Sequence, residues 1–282
     1  MNNLINGRAL AETINLETAK NVRALKRRGI TPKLAVVYVG SDKPSQKYID
    51  KKRIAAETAG IDFALYTFPA SVKKDALISE LTRIQKDKKL SGLIIQLPLP
   101  ERLYQSDVLN AIDQSRDVDC LTDANLGKLV MKTNLVTPPT PEAVLTVLRS
   151  LEVELPGKNV TIIGTGALVG KPLAIMLMNE GSSIITANSR TRDIKAKCLT
   201  ADIIVTAVGK KDLLRGDMVS PGAIVIDTGI DFEDGKMYGD VNRAEVAAKA
   251  AWLTPTPGGI GPITVSLLLK NTVTCAKQRS AK

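Results

Sequence analysis

The sequence of 282 residues contains no histidine. Histidine is the commonest metal ligand among side chains and the commonest general acid or base near neutral pH. Proton transfer in this protein would therefore depend on lysine, tyrosine, aspartate or glutamate, and no metal site is predicted.

Cysteine is also scarce. The three cysteines, Cys120, Cys198 and Cys275, are odd in number and far apart in the sequence. This pattern argues against a disulfide framework and against a cysteine-based zinc site. They are predicted to be reduced thiols without a part in the chemistry.

Long apolar runs and aromatic residues are missing too. No stretch approaches the roughly 20 apolar residues of a membrane span, and the N-terminal segment lacks a signal-peptide core, so a cytoplasmic protein with no membrane partner is expected. The net charge of +10 suits either nucleic acid or a small molecule that bears phosphate or carboxylate groups. Because aromatic residues make up only 3% of the chain, the stacking platforms of single-strand binders are not expected, and the small molecule is favoured.

The chain does contain a regular alternation of helical and strand-like segments. Helical patterns at residues 8–28, 48–59 and 76–86 alternate with strand-like runs at 34–39, 63–68 and 92–96. This order predicts a parallel sheet covered by helices. The chain length exceeds what one core usually serves, so two domains are expected.

A second alternating series follows a loop that contains Pro138, Pro139 and Pro141. Apolar runs at 160–163, 184–187, 203–208 and 223–227 predict a second, doubly wound parallel sheet, with the domain boundary near Pro141. The loop TPTPGGIGP at 254–262 then precedes a final apolar helix from Thr264 to about Ala276.

A glycine-rich turn, Gly164 to Gly170, lies directly after the run at 160–163 and leads into a helix. Such a turn lets backbone NH groups approach a pyrophosphate, although the spacing is one residue longer than G-x-G-x-x-G and an ordinary turn is the alternative. The next run ends at Asn188-Ser189-Arg190-Thr191, without the acid that binds the ribose of NAD. Ser189 and Arg190 suit a 2′-phosphate, so NADP is favoured and NAD stays possible; a polar loop is the alternative.

In the first half, Tyr48 and Lys52 are four residues apart in PSQKYIDKK. They would share one face of a helix, which by itself is as compatible with a surface contact as with a reaction site. Short-chain dehydrogenases have the same spacing, but there the pair follows the glycine-rich turn. Here it precedes that turn by more than a hundred residues, which counts against that family.

Eight segments settle the alternatives, and they occur in the order VGSDKPSQKYIDKK, GLIIQLPLP, RDVDC, PPTPEAV, GTGALVGKP, VIDTGID, YGDVN and TPTPGGIGPIT. Together they closely resemble the bifunctional methylenetetrahydrofolate dehydrogenase/methenyltetrahydrofolate cyclohydrolase family over nearly the whole chain. The resemblance implies an α/β fold with two domains. Residues 1–140 would form a three-layer α/β folate and catalytic domain, which a C-terminal helix at 262–282 completes by packing back on it, and residues 141–261 would form a Rossmann-type NAD(P) domain. It also implies a homodimer, one-carbon folate metabolism and a link to purine biosynthesis.

The same resemblance implies the site residues. It places the catalytic lysine at Lys52, its partner at Gln96, the pterin-binding aspartate at Asp119 and, against the aminobenzoyl ring of the folate, Tyr48. Further folate contacts are implied at Leu97, Pro98, Pro257, Gly258 and Gly259, and dinucleotide contacts at Gly164, Thr165, Gly166, Ser189 and Ile230, beside Arg190. A lysine whose pKa is lowered by desolvation and by nearby positive charge could activate water for the hydrolysis.

The sequence departs from the family pattern at several positions. Thr165 and Gly166 replace an arginine or small residue and a serine, Asn188 replaces a histidine, and Cys120 replaces a glycine next to Asp119; Glu142-Ala143 also differs. A side chain at position 120 is expected to crowd the backbone or alter its dihedrals. These departures leave open a non-catalytic paralogue that binds folate or dinucleotide.

Overall fold

The chain divides into two compact units. The computed structural model describes residues 3–280, with only the backbone of Lys43 and Pro44. The first unit comprises Glu12–Pro139 and residues 265–280, and the second comprises residues 3–11 and Thr140–Thr264. The boundary between residues 11 and 12 falls inside a long helix, and so does the boundary between residues 264 and 265.

The first half of the chain alternates helices with three strands. The helices are α1 (Gly7–Lys26), α2 (Lys43–Ala59), α3 (Lys74–Ile84), α4 (Ser106–Asn110) and α5 (Asp123–Val130), and the strands are β1 (Lys33–Val39), β2 (Asp62–Phe68) and β3 (Gly92–Ile95). A short 3₁₀ helix covers Glu101–Leu103.

The second half repeats the alternation with shorter strands. Its helices are α6 (Pro139–Ser150), α7 (Gly170–Asn179), α8 (Ile194–Leu199), α9 (Arg243–Val246) and α10 (Ile260–Arg279). Its strands are β4 (Asn159–Ile163), β5 (Ser183–Ala187), β6 (Ile203–Thr206), β7 (Ile224–Asp227), β8 (Asp231–Glu233), β9 (Lys236–Tyr238) and β10 (Trp252–Leu253). A 3₁₀ turn covers Gly216–Met218.

The first unit is a three-layer α/β sandwich around a parallel sheet in the order β2-β1-β3. Alternate residues of β1 face two separate apolar cores, because successive side chains of a strand point to opposite faces. Leu34, Val36 and Tyr38 pack with residues of α1, α2 and α10, whereas Ala35, Val37 and Val39 pack with residues of α3 and α4. The predicted packing of the C-terminal helix on the first sheet is therefore confirmed.

The second unit contains a parallel sheet in the order β10-β7-β6-β4-β5, as the Rossmann-type prediction required. After β5 the chain returns to the other side of β4 to form β6. The carboxyl end of β4 thus lies at the point where strand order reverses, which is where open α/β sheets bind ligands. The antiparallel hairpin of β8 and β9 lies outside this sheet.

Residues 3–11 differ from the predicted division, which assigned residues 1–140 to one domain. The Asn3 side-chain amide donates hydrogen bonds of 2.9 and 2.8 Å to the carbonyls of Ala247 and Ala250. Leu4 forms a parallel bridge with Leu253, and the Ile5 amide donates to the Leu253 carbonyl. This segment therefore extends the edge of the second sheet next to β10.

Candidate active site

Helix α2 is fixed at its start by a tyrosine from the neighbouring strand. The carboxylate of Asp42 caps the helix by accepting a 2.9 Å hydrogen bond from the Ser45 amide. The Tyr38 hydroxyl, buried on β1, donates a 2.9 Å hydrogen bond to the same carboxylate. Such a cap satisfies an amide that lacks a partner within the helix. Tyr48 and Lys52 follow one turn apart on this helix.

Lys52 contacts Gln96 directly. The lysine Nζ donates a 2.9 Å hydrogen bond to Gln96 Oε1, while Gln96 Nε2 donates a 2.7 Å bond to the carbonyl of Leu97. The Gln96 backbone amide donates to the Val37 carbonyl, so the sheet fixes the position of this residue immediately after β3. With its amide group occupied by Leu97, the buried glutamine presents its oxygen to the lysine.

Asp119 acts on Lys52 electrostatically. Burial lowers the pKa of Lys52, and the negative charge of Asp119 acts in the opposite direction. Burial likewise raises the pKa of Asp119 to about 6, against the effect of Lys52 and together with the charge of Asp117. Desolvation thus favours the neutral forms of both groups, which is what a lysine general base requires.

The segment that carries Asp119 is held by Asp117, which sequence reasoning did not assign a role. The fully buried Asp117 carboxylate accepts hydrogen bonds from the amides of Leu121 and Thr122, from the Thr122 hydroxyl and from the Asn125 side chain. The sequence signal for this role is the segment RDVDC. Asp117 is a second acid beside Val118, and a carboxylate buried with such a valine is expected to accept hydrogen bonds from donors within the protein.

Helix α10 fixes the other side of the same segment. The Asn271 side-chain amide donates bonds of 2.9 Å to the Val118 carbonyl and 2.8 Å to the Thr137 carbonyl. Asn271 therefore acts on Asp119 through the preceding peptide, and an asparagine within a largely apolar helix is the sequence signal for it.

Cys120 adopts a left-handed conformation with φ of 58° and is fully buried. Residues with a Cβ rarely adopt such φ values, so the backbone next to Asp119 has a conformation that is costly for a cysteine. Burial raises the pKa of its thiol, so the cysteine is protonated and not a nucleophile. All three cysteines are free and buried.

The remaining predicted residues of this unit, Tyr48, Leu97 and Pro98, are partly or largely accessible. Tyr48 is half-buried, and the Lys51 ammonium lies 5.3 Å from the centroid of its ring. Leu97 and Pro98, joined by a cis peptide bond, directly follow Gln96, with Leu97 half-buried and Pro98 exposed.

The glycine-rich turn of the second unit contains glycines with different functions. A Cβ at Gly164 would lie 2.3 Å from the Ala207 carbonyl oxygen, and one at Gly170 would lie 1.9 Å from the Gly164 carbonyl oxygen. Both are required by the packing of the turn. A Cβ at Gly166 would meet nothing within 4 Å, and the side chain of Thr165 is half-buried. Gly166 therefore leaves open space at the start of α7, where a pyrophosphate would bind.

The loop after β5 is organised by Asn188. Its side-chain oxygen accepts a 2.9 Å hydrogen bond from the Arg190 amide, and its own amide donates to the Thr191 hydroxyl. Ser189 and Arg190 are exposed, and within residues 3–280 no carboxylate forms an ion pair with Arg190. The guanidinium is therefore available to an anionic ligand.

Two buried aspartates hold the loops at the carboxyl end of the second sheet, and sequence reasoning assigned neither. Asp227 accepts hydrogen bonds from the amides of Gly229, Asp240 and Val241 and from the Thr206 hydroxyl. Asp240 in turn accepts from the amides of Val208, Gly209 and Lys210. Burial raises the pKa of Asp227 to about 6. The motifs VIDTGID and YGDVN thus position Ile230, an exposed residue that directly follows this network.

The loop Pro257–Gly259 belongs to the second unit and packs closely on the start of α1. The Thr256–Pro257 peptide bond is cis, and Gly258 has φ of 103°. A Cβ on Gly7 would lie 1.8 Å from the Gly259 carbonyl oxygen, so this contact requires a glycine at position 7.

Residues 3–280 contain no group of three acidic or cysteine side chains that could hold a metal ion. None of the helices within the same range has the length and apolar composition of a membrane span.

The second unit has a glycine-rich turn at the point where the strand order of its sheet reverses. The first unit has a desolvated lysine beside a glutamine and an aspartate. These features define the class of two-domain, dinucleotide-dependent α/β enzymes. Comparison with models of protein families identifies the family within this class of enzymes. The tetrahydrofolate dehydrogenase/cyclohydrolase catalytic domain matches residues 5–119, and the NAD(P)-binding domain of the same family matches residues 138–280. The chain belongs to the tetrahydrofolate dehydrogenase/cyclohydrolase family.

Individual relatives agree along the full length. The bifunctional protein FolD of Moorella thermoacetica is 40% identical over 276 residues, which cover 98% of this chain and 99% of the relative. The structure of the bifunctional FolD enzyme from Campylobacter jejuni superimposes with a TM-score of 0.94 at 38% identity, covering 98% of this chain and 99% of that one. The Trypanosoma brucei enzyme, solved with NADP cofactor and inhibitor, gives a TM-score of 0.95 at 36% identity, covering 99% of this chain and 98% of that one.

Proposed function

We propose that the protein oxidises 5,10-methylenetetrahydrofolate to 5,10-methenyltetrahydrofolate with NADP and hydrolyses the product to 10-formyltetrahydrofolate. The observation that carries this proposal is the 2.9 Å hydrogen bond from Lys52 to Gln96. Burial lowers the pKa of the same lysine, and the charge of Asp119 raises it.

The oxidation needs orientation more than proton transfer. A hydride leaves the methylene carbon, and the resulting methenyl group carries a positive charge. NADP supplies the hydride acceptor when it is bound. Asp119 would accept hydrogen bonds from the pterin NH groups in its ionised form, and Tyr48 would pack on the aminobenzoyl ring. Together they would hold the folate in one orientation, which is the main contribution to such a step.

The hydrolysis needs a base. Water adds to the methenyl carbon and gives up one proton to the base, which leaves a neutral hydroxyl adduct. One carbon–nitrogen bond of this adduct then breaks, the remaining hydroxyl proton passes to the released nitrogen, and the carbon is left as the formyl group. Neutral Lys52 would take that proton, since burial lowers its pKa toward the working range and the cationic substrate acts in the same direction. Gln96 would hold the lysine amine beside the reacting carbon through its side-chain oxygen.

The second unit fits NADP. Gly166 leaves room for the pyrophosphate at the start of α7, and the exposed Arg190 suits a 2′-phosphate because its planar guanidinium can form paired hydrogen bonds. The bound NADP in the Trypanosoma brucei relative supports the same choice. Thr165 contributes no positive charge here, so Arg190 is the principal candidate for phosphate selection.

A spectrophotometric assay in parallel with NADP and NAD tests the proposal. Methylenetetrahydrofolate should produce the methenyl absorbance, which then decays as the formyl product forms, at higher kcat/KM with NADP. Absence of turnover with either cofactor would refute the proposal. If calorimetry then detected binding of folate or NADP, the non-catalytic paralogue would replace it.

The assembly, location and cellular role of the protein are also part of the proposal. The protein would act as a homodimer in the cytoplasm and provide formyl groups for purine biosynthesis, with no nucleic-acid or membrane partner. Analytical ultracentrifugation of the purified protein tests the dimer, and a sedimentation coefficient of a 30.2 kDa particle would contradict it.

A further inference from the structure

Two loops are joined at the carboxyl end of the first sheet. Strands β2 and β3 lie on either side of β1 in a parallel sheet, so the segments that follow them leave the sheet at the same end. The β2 loop comprises residues 69–73, and the β3 loop comprises residues 96–105. The β3 loop begins with Gln96, the partner of Lys52, so its position bears on the proposed reaction site.

Arg102 of the β3 loop forms the first connection between the two loops. Its Nη1 donates a 2.8 Å hydrogen bond to the Val72 carbonyl, and its Nη2 donates to the Ala70 carbonyl. The β2 loop turns at this point, since the Val72 amide donates a 2.9 Å bond to the Pro69 carbonyl. A guanidinium donates in a fixed planar fork, so bonds to two carbonyls of one turn fix both the distance and the orientation of the loops.

Lys74 forms the second connection, in the opposite direction. It is the first residue of α3, and its Nζ lies 2.6 Å from Asp107 Oδ2 and 3.2 Å from Gln105 Oε1. Gln105 Nε2 in turn donates a 3.1 Å bond to the Arg102 carbonyl. These four residues, Arg102, Lys74, Gln105 and Asp107, thus form one polar clasp between the segments that follow β2 and β3.

The clasp holds the loop that orients Gln96. The Leu97 carbonyl accepts the 2.7 Å bond from Gln96 Nε2, and this bond leaves Gln96 Oε1 directed at Lys52. Leu99 and Leu103 of the same loop are buried in the apolar core that includes residues of α3. Apolar burial is not directional, whereas hydrogen bonds are. The orientation of the Leu97 carbonyl therefore depends on the clasp as well as on the buried leucines.

We propose that Arg102 is a positioning residue for the folate substrate. By joining the two loops it would hold the Leu97–Pro98 segment against the folate and keep the Leu97 carbonyl in place to orient Gln96. This inference rests on the proposed function, which needs the folate contacts at Leu97 and Pro98. Its effects should appear in the KM for methylenetetrahydrofolate and in the protonation of Lys52. The KM for NADP should not change, because the dinucleotide turn belongs to the other unit.

Steady-state kinetics of Arg102 variants test this role. Arg102→Gln should raise the KM for methylenetetrahydrofolate about tenfold, the size expected for loss of a hydrogen bond from a charged group, and leave dehydrogenase kcat unchanged. Arg102→Lys keeps the charge but can reach only one of the two carbonyls, so its KM should be intermediate. Arg83→Gln is the matched control, since it removes an exposed arginine of α3 that pairs with Glu80, and its KM should equal that of the wild type.

The pH dependence of hydrolysis distinguishes positioning from a general loosening of the structure. Gln96 Oε1 accepts from Lys52 and so favours the ammonium form, whereas burial lowers the pKa of this lysine. If the Leu97 carbonyl moves, Gln96 loses its fixed orientation and the pKa of Lys52 falls further. The decline of the hydrolysis rate at acidic pH, measured at saturating methenyl substrate, should therefore move to lower pH in Arg102→Gln. An equal loss of rate at every pH would indicate a structural role and overturn the proposal.

The same assays distinguish this inference from the proposed function. Turnover by the wild type tests the function, and an inactive wild type would refute both. An active wild type together with an unchanged KM for methylenetetrahydrofolate in Arg102→Gln would refute the role of Arg102 alone. Should Arg102→Gln fail to fold, Lys74→Gln decides, because it breaks the second connection of the clasp. Its KM for methylenetetrahydrofolate should also rise, and a wild-type value would overturn the proposal.

Discussion

Replacing Asp119 with asparagine separates its electrostatic contribution from its shape. The wild-type carboxyl has a pKa of about 6, so about a tenth of the enzyme carries the ionised form at pH 5. If the ionised form binds the pterin, dehydrogenase kcat/KM should fall about tenfold between pH 7.5 and pH 5 in the wild type. Asp119→Asn should remove this decline at acidic pH, the acidic limb of the profile. It should also lower kcat/KM at pH 7.5 by about 10- to 100-fold, because a charged hydrogen bond is lost.

The same substitution should change the pH dependence of hydrolysis. Asp119 is the group that raises the pKa of Lys52 against the effect of burial. Without that negative charge, the pKa of Lys52 falls further and the neutral amine persists to lower pH. The acidic limb of the hydrolysis rate at saturating methenyl substrate should therefore move to lower pH in the variant.

Stability should change in the opposite direction to activity. The folded-state pKa of Asp119 is about 6, above its ordinary value of 3.8, so the ionised carboxylate is less favourable in the folded protein than in the unfolded chain. That destabilisation is complete above pH 6 and disappears below 3.8. Asp119→Asn should raise the free energy of unfolding at pH 7.5 by about 1–2 kcal/mol, reduced from the full linkage value because the side chain is partly exposed.

Stopped-flow absorbance of the methenyl intermediate and urea unfolding at several pH values would measure these effects. Asp50→Asn is the matched control, since it removes an exposed carboxylate from α2. A wild-type profile without an acidic limb, or a limb of equal pKa in Asp119→Asn, would show that Asp119 does not control binding through its charge.

Three other substitutions test separate parts of the structure. Lys52→Met should abolish hydrolysis of the methenyl substrate, measured by its absorbance decay, because it removes the amine that Gln96 holds and that would take the proton from water. Arg190→Gln should raise the KM for NADP by about tenfold and leave that for NAD nearly unchanged, as expected for one charged phosphate contact. Gly239→Ala should destabilise the protein by about 2–4 kcal/mol in urea unfolding, because the new Cβ would lie 1.8 Å from an Asp227 carboxylate oxygen.

Each of the three has a matched control. Lys47→Met changes an exposed lysine on the same helix as Lys52, Lys195→Gln changes an exposed cation on α8 of the second unit, and Gly222→Ala changes a glycine whose Cβ would meet nothing within 4 Å, although its φ of 85° adds a smaller cost. Hydrolysis retained in Lys52→Met, equal effects of Arg190→Gln on both cofactors, or wild-type stability of Gly239→Ala would contradict the respective arguments.

The positions of the strands were largely accessible from the sequence, while several helix ends were not. The run at 34–39 is apolar at every position because β1 is buried on both faces, which makes a central parallel strand easy to recognise. Helix α2, expected from residue 48, begins at Lys43 because Asp42 caps it with help from Tyr38, a contact between strand and helix. Residues 3–11 join the second unit through hydrogen bonds to the segment just after α9 and to β10, more than two hundred residues away.

For the candidate site, too, part was accessible from the sequence and part was decided by the fold. The sequence by itself determined which residue types are available: a chain without histidine depends on lysine, tyrosine, aspartate or glutamate for proton transfer, and the order of motifs indicated the family. Only the tertiary structure decided that Lys52 lies within hydrogen-bond distance of Gln96, that burial brings the pKa of Asp119 to about 6, and that Asp117, Asp227 and Asp240 hold loops through backbone amides. Burial and hydrogen-bond geometry arise from segments distant in the chain, so they follow from the fold and not from any local pattern.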